Sequence, residues 1–166
     1  MTTNLTYIKV RLSFFVLLPN HSGHGTTFVE TIENHRTLLE KFLTQMKNKK
    51  TLVLGASTKP DRYAYKAIES LVNKGHSVLA IGQNTGEVGG VKIHTKAIPV
   101  KNIDTITLYL NPVRQRDYYN FIIESKPKRV IFNPGTENPE FYQLLKANVI
   151  GVEVACTLVL LATNQY

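Results

Sequence analysis

From residue 49 onward, short runs of apolar and β-branched residues alternate with longer segments of helical periodicity. The runs predict strands at 51–54, 77–81, 104–110, 129–132 and 149–154. The intervening segments predict helices at 63–73, from the Asn111-Pro112 pair to 124, from the Asn138-Pro139 pair to 147, and at 156–162. Residues 82–90 are rich in glycine and predict a loop, and 91–94 predict a small extended piece. Five strands alternating with helices predict an α/β fold with a doubly wound, mostly parallel sheet covered on both faces.

Residues 1–45 lack this alternation. They contain an apolar run at 14–18, a polar loop at 19–25 and a helical pattern over 30–47. The apolar run is shorter than the core of a secretory signal, and no segment reaches the length of about 20 apolar residues that spans a membrane. Met46 stands directly before the first predicted strand, so we expect a domain over 46–166 and an N-terminal extension of open status over 1–45.

In a doubly wound sheet, ligands bind beyond the carboxyl ends of the strands. The sequence places five segments at that edge, namely residues 55–62, 82–86, 111–114, 133–137 and 155–157. After the first strand, Gly55, Ala56 and Ser57 let backbone amides and a helix N-terminus approach an anion. Lys59 and Arg62 add positive charge next to this turn.

The same turn lacks both the G-x-G-x-x-G fingerprint and the G-K-[ST] triplet, which argues against a P-loop ATPase. The second strand ends in Ile81-Gly82-Gln83, without the carboxylate that binds the ribose hydroxyls of NAD. A ligand with an additional phosphate therefore fits better, and NADP and coenzyme A both meet that description. The alternative interpretation is a tight strand-to-helix turn with no ligand.

The charge and cysteine content limit the classes of ligand and the compartment that fit this chain. Twenty Lys and Arg against twelve Asp and Glu give a formal charge of +8, which favours anionic partners. Basic residues are scattered singly or in pairs, so a nucleic-acid-binding tail is not indicated. A single cysteine, Cys156, excludes an internal disulfide framework and favours a reducing, cytoplasmic compartment. Cys156 lies at the start of the last predicted helix, where a helix N-terminus stabilises a thiolate, so a reactive thiol is one hypothesis for it.

The sequence resembles the small CoA-binding domain proteins, which are related to the nucleotide-binding domain of the succinyl-CoA synthetase α subunit. The resemblance covers about residue 47 to the C-terminus. It rests on Val53-Leu54-Gly55-Ala56-Ser57, Lys59-Pro60-Asp61-Arg62-Tyr63, Gly75-His76-Ser77-Val78, Asn133-Pro134-Gly135-Thr136-Glu137-Asn138 and Ala155-Cys156-Thr157. It implies a Rossmann-like fold and coenzyme A or an acyl-CoA as ligand.

The resemblance also implies roles for individual residues. Gly55, Ala56 and Ser57 would hold the pyrophosphate, and Lys59 and Arg62 would flank the phosphates of the 3′-phospho-ADP portion. Gly82 and Gln83 would lie near the adenosine, although the commoner ending of this strand is V-N-P. The remaining candidate cofactor-binding residues are Tyr63, Asn111, Pro112, Asn133, Pro134, Gly135 and Cys156.

The sequence contains no recognisable catalytic constellation. Its five histidines lack partner patterns, no triad or carboxylate pair appears, and no metal-ligand spacing is present. The phosphohistidine domain of the synthetase has no counterpart here, so ligase chemistry is not expected. We expect a CoA-binding carrier, sensor or regulatory module that binds neither nucleic acid nor membrane; an NADP-dependent oxidoreductase and a ligand-free interaction protein are the alternatives. A homo-oligomer or a protein partner stays open.

Overall fold

The computed structural model describes residues 32–40 and 48–166. Residues 32–40 form a helix, α1, in which every residue is exposed. The predicted helical pattern over 30–47 is therefore confirmed across these nine positions, and the rest of that pattern, with the predicted features of residues 1–31, lies outside the described residues. No described helix has the length and apolar character required to cross a membrane.

Within residues 48–166, seven strands form one sheet in the order β3-β4-β2-β1-β5-β6-β7. All neighbouring pairs are parallel except β3 and β4. The strands are β1 (Thr51–Ala56), β2 (Val78–Gly82), β3 (Gly86–Val88), β4 (Val91–His94), β5 (Thr105–Leu108), β6 (Arg129–Phe132) and β7 (Gly151–Val154).

The prediction of five strands is wrong, because residues 86–94 form two more. Gly89 and Gly90 both have positive φ, at 55° and 78°, which is the conformation of a two-residue hairpin turn. This turn folds β3 back onto β4, and β4 pairs in parallel with β2 through Ala80–Ile93 and Ile81–His94. The glycines that predict a loop therefore build a hairpin at the sheet edge.

The helices that follow α1 are α2 (Tyr63–Asn73), α3 (Pro112–Gln115), α4 (Tyr119–Ser125), α5 (Pro139–Ala147) and α6 (Thr157–Ala162). The predicted start signals are confirmed: Asn111 Oδ1 accepts from the N–H of Arg114 at 3.0 Å, and Asn138 Oδ1 accepts from the N–H of Phe141 at 3.2 Å. Each cap is followed by proline in the first turn.

The single helix predicted from Asn111-Pro112 to residue 124 is wrong, because α3 and α4 are separated by a 3₁₀ turn over Arg116–Tyr118. Tyr118 has φ −112° and ψ 0°, which interrupts the α-helical hydrogen bonds. The break turns Tyr119 toward the core, where its ring stacks on Phe141 with centroids 4.0 Å apart. The periodicity of residues 111–124 could not predict this break, because Phe141 belongs to a different helix, α5.

Both faces of the sheet are covered, as predicted. Leu52, Val53 and Leu54 of the central strand have no exposed surface. Leu52 and Leu54 belong to a core that α4 and α5 cover, whereas Val53 belongs to a second core under α2 and α6. Each such side chain contributes roughly 1.5–3 kcal/mol by leaving water. The residues at the ends of β1 are therefore held in place by a rigid centre.

A cluster of polar and aromatic side chains lies at the amino-terminal ends of the strands. The Tyr166 hydroxyl hydrogen-bonds with Thr51 Oγ1 at 2.6 Å, and its ring centroid lies 4.9 Å from both the His76 ring and the Arg129 guanidinium. The backbone N–H of Lys49 donates to His76 Nδ1 at 3.1 Å. The imidazole is thus bound in its neutral form, with an unprotonated Nδ1.

Burial, reinforced by the charges of Lys49 and Arg129, lowers the pKa of His76 below its ordinary value of 6.5. The unfolded chain therefore binds this proton more readily, and the folded state loses stability as the pH falls below that value. We predict that the free energy of unfolding, measured by urea denaturation, decreases between about pH 7.5 and about pH 5.5 and that His76→Gln removes most of the decrease.

The matched control is His94→Gln, which removes a histidine of β4 from outside this cluster. It should retain the wild-type pH dependence. If His76→Gln also retained it, His76 would not be the group responsible.

Candidate functional site

A cleft of about 880 Å³ opens where the order of the strands reverses. The chain runs from β1 to β2 and β4 on one side of the sheet and continues as β5, β6 and β7 on the other. In doubly wound sheets this reversal separates the loops at the carboxyl ends of the strands and leaves a crevice. The volume lies in the range of small-molecule sites.

The structure brings most of the predicted site residues together around this cleft. Pro112, Asn133 and Cys156 are not among the residues that line it. Those that do line it are Gly55, Ala56, Ser57, Lys59, Arg62, Tyr63, Gly82, Gln83, Asn111, Pro134 and Gly135.

Gly55 gives the cleft its shape at the end of β1. Its φ is +94°, and a Cβ atom there would lie 2.7 Å from the carbonyl oxygen of Tyr109. The pairing of β1 with β2 also shifts register between Leu54 and Ala56. Only glycine satisfies both the conformation and the close approach, so the segment after β5 can pass directly against the turn after β1.

Gly82 allows a second close approach on the other side of β1. A Cβ atom on Gly82 would overlap the carbonyl oxygen of Ala56. This contact explains the glycine at position 82, since a side chain there would push β2 away from the turn. Gln83 and Asn84 follow at the rim of the cleft, and both are exposed.

The N-terminus of α2 faces the cleft with unused hydrogen-bond donors. Arg62 is the N-cap residue and its side chain makes no capping hydrogen bond, and the first turn contains no acidic residue. The N–H groups of Tyr65 and Lys66 donate to the Arg62 carbonyl. The N–H groups of Tyr63 and Ala64, together with the helix dipole, therefore favour an anion in front of this helix. Ser57 Oγ accepts from the N–H of Lys59 at 3.2 Å, which leaves the hydroxyl hydrogen available to a ligand.

Charge in the cleft is predominantly positive. Lys59, Arg62 and Arg114 line it, against Asp117 as the one carboxylate among the described lining residues. Tyr109 also lines the cleft, and burial raises the pKa of its phenol, so this group is neutral at physiological pH. The arrangement is suited to binding a phosphorylated ligand through charge-assisted hydrogen bonds.

Asn133 lies beneath the cleft instead of lining it. Its Nδ2 group donates to Thr107 Oγ1 at 2.7 Å and to the carbonyl of Leu108 at 3.0 Å, and its Oδ1 accepts from the N–H of Thr157 at 2.8 Å. This buried carboxamide joins β5, the end of β6 and the start of α6. Cys156 is the N-cap of α6, as its predicted position implied, and is half-buried.

Sequence reasoning missed several cleft residues. Arg114 lies in the segment 111–114 predicted at the ligand edge but is not among the predicted site residues. It lines the cleft from the first turn of α3. Asp117 and Tyr118 line it because the 3₁₀ turn interrupts the predicted helix there. Thr136, within the predicted segment 133–137, lines the cleft, and Gln115 makes a buried hydrogen bond to its carbonyl without any sequence pattern that marks Gln115.

Comparison with known proteins supports one family. Residues 49–162 match the model of a family described as CoA binding domain, which confirms the resemblance predicted from the motifs. The chain is 46% identical to an uncharacterized protein of known crystal structure, with a TM-score of 0.70, covering 72% of this chain and 98% of that one. Among curated proteins, none matches.

Two further structures share the fold. A hypothetical protein from Pyrococcus horikoshii is 26% identical with a TM-score of 0.59, and the alignment covers 77% of this chain and 88% of that one. A protein from Thermus thermophilus is 24% identical with a TM-score of 0.63, and the alignment covers 77% and 98% respectively.

The geometry at Gly55 leads to a stability prediction. Gly75, at the end of α2, also has a positive φ of 79°, but a Cβ there would meet nothing within 4 Å. Gly75→Ala should therefore cost only the conformational penalty of about 1–2 kcal/mol. Gly55→Ala should cost about 1–3 kcal/mol more, because its methyl group overlaps the Tyr109 carbonyl. Urea denaturation of both variants measures the difference, and equal losses would show that the close approach adds nothing.

Proposed function

The chain belongs to the family of CoA binding domains, and from this premise we propose that its cleft binds coenzyme A or an acyl-CoA, so that the protein acts as a carrier, sensor or regulatory module. One observation carries the proposal. The glycine turn after β1 leads into the uncapped N-terminus of α2, and Lys59 and Arg62 stand next to it. This combination of backbone amides and cations suits a pyrophosphate with a further phosphate nearby.

Each part of the ligand has a candidate partner in the cleft. We assign the pyrophosphate to Gly55, Ala56 and Ser57, with Lys59 and Arg62 at the phosphates of the 3′-phospho-ADP portion. Gln83, next to Gly82, would contact the adenosine. The order of the strands supports placing the adenosine at one end of the cleft. β2 lies on one side of β1, whereas β5 and β6 lie on the other.

The pantetheine arm would then extend across β1 toward the loops after β5 and β6. Asn111, Pro134 and Gly135 line that side of the cleft. The cleft is continuous from Gln83 to these loops, which supports a long ligand more than a mononucleotide.

The end of β2 favours coenzyme A over NAD. NAD-binding sheets place a carboxylate there for the ribose hydroxyls, whereas this chain has Gly82 and Gln83. Asp117, the one carboxylate among the described lining residues, follows β5 on the other side of β1. A ligand whose ribose carries a phosphate therefore avoids repulsion at the adenosine end.

Calorimetry with the full chain tests the ligand. We predict that coenzyme A binds more tightly than dephospho-coenzyme A by about tenfold or more, the equivalent of one lost charge-assisted contact. NADP and NAD should bind more weakly than coenzyme A. Equal binding of coenzyme A and NADP, or binding of no nucleotide, would contradict the proposal.

Removal of two cations tests the site. Lys59→Ala combined with Arg62→Ala should weaken coenzyme A binding by about 1–3 kcal/mol through the loss of charge-assisted hydrogen bonds. The matched control is Lys101→Ala combined with Lys146→Ala, which removes the same charge from exposed positions that do not line the cleft. The control should bind like the wild type. Equal weakening in both double variants would assign the effect to net charge alone.

A further inference from the structure

The side chain of Gln115 is fully buried between two loops that line the cleft. Its Nε2 group donates to the carbonyl of Leu110 at 2.8 Å and to the carbonyl of Thr136 at 2.7 Å. Leu110 follows β5 and Thr136 follows β6, and both residues line the cleft. One carboxamide therefore links the two loops from below, while Gln115 itself does not line the cleft.

Asn138 fixes the orientation of this carboxamide. Its Nδ2 group donates to Gln115 Oε1 at 2.9 Å and to the Tyr119 hydroxyl at 2.8 Å, and its Oδ1 accepts from the N–H of Phe141. A rotation of the Gln115 amide by half a turn would set its oxygen against two carbonyls and its NH₂ group against another donor. The network has one favourable arrangement, so the distance between the two loops is fixed before a ligand binds.

The linked loops lie on one side of the cleft only. Asn111, Pro134 and Gly135 belong to them, whereas Ser57, Lys59 and Gln83 lie at the ends of β1 and β2. The start of the loop after β5 is anchored to β1 by the hydrogen bond from the Tyr109 N–H to the Leu54 carbonyl, so a change in the link acts mainly on the loop residues beyond that anchor.

We propose that Gln115 is a positioning residue that holds the two loops at the separation required by the pantetheine part of the ligand. The inference rests on the proposed function and assigns Gln115 to the pantetheine side of the cleft. Gln115 acts through the carbonyl groups of Leu110 and Thr136 and makes no contact of its own with the ligand. Preorganised walls raise affinity because the ligand does not have to order them.

The central test is Gln115→Glu, which keeps the shape of the side chain but replaces the donating NH₂ group with an oxygen. Affinities for coenzyme A and for adenosine 3′,5′-bisphosphate, which lacks the pantetheine arm, are measured by calorimetry in the full chain. Coenzyme A binding should weaken by about tenfold, whereas adenosine 3′,5′-bisphosphate binding should change by less than about twofold.

A milder variant covers the case in which a buried glutamate prevents folding. Tyr119→Phe removes one hydrogen bond to Asn138 and retains the stacking on Phe141. It should weaken coenzyme A binding by about two- to threefold, again without effect on adenosine 3′,5′-bisphosphate. The matched control is Tyr142→Phe, because the Tyr142 hydroxyl is buried without a hydrogen-bond partner among the described residues. It should leave both affinities unchanged.

The split between the two ligands decides the proposal. Selective loss of coenzyme A affinity in Gln115→Glu or Tyr119→Phe supports it, because a general loss of structure would weaken both ligands. Equal weakening of both ligands, or unchanged coenzyme A affinity, overturns it while the proposed function stands. If the wild type binds neither ligand, both the proposed function and this inference fail.

Discussion

The buried carboxamide of Asn133 is the contact on which the site depends. It is 3% exposed and hydrogen-bonds to Thr107, Leu108 and Thr157, so it ties together β5, the end of β6 and the start of α6. The backbone carbonyl of Asn133 accepts hydrogen bonds from both the backbone N–H and the hydroxyl of Thr136, which anchors the loop after β6. Because an unsatisfied buried polar group is costly, these hydrogen bonds hold the carboxyl ends of β5 and β6 and the start of α6 in one arrangement.

The two sides of the cleft are built by different physical means. Around β1 and β2, glycines allow backbone segments to approach closely, as at Gly55 and Gly82. Around β5 and β6, carboxamide side chains join loops between which the described residues form no backbone hydrogen bond, as Gln115 and Asn138 do. The first side brings backbone amides together with Lys59 and Arg62, and the second forms a fixed polar wall. This division fits a ligand with a charged nucleotide end and a neutral arm.

Much of the candidate site could be predicted from the sequence, since the residues after each strand reach the same edge of a parallel sheet. Gly55, Ser57 and Lys59 were found in this way and line the cleft. Asn133 was predicted at the same edge but lies below it, because its amide meets buried partners on β5 and α6. Gln115 was not predicted, because a polar residue inside a helical pattern looks exposed until its partners on another loop are known.

Local sequence alone is enough to predict the alternation of strands and helices, the proline-containing helix starts after Asn111 and Asn138, and the glycine turn with its two neighbouring cations, Lys59 and Arg62. These features depend on local conformation and periodicity, which neighbouring residues carry. The extended piece predicted at 91–94 is confirmed as β4, but its pairing with β2 and with β3, the separation of α3 from α4, and the link that Gln115 makes between two loops appear only in the folded chain. Each of these depends on partners distant along the chain, whose hydrogen bonds and packing outweigh local preference once the core has formed.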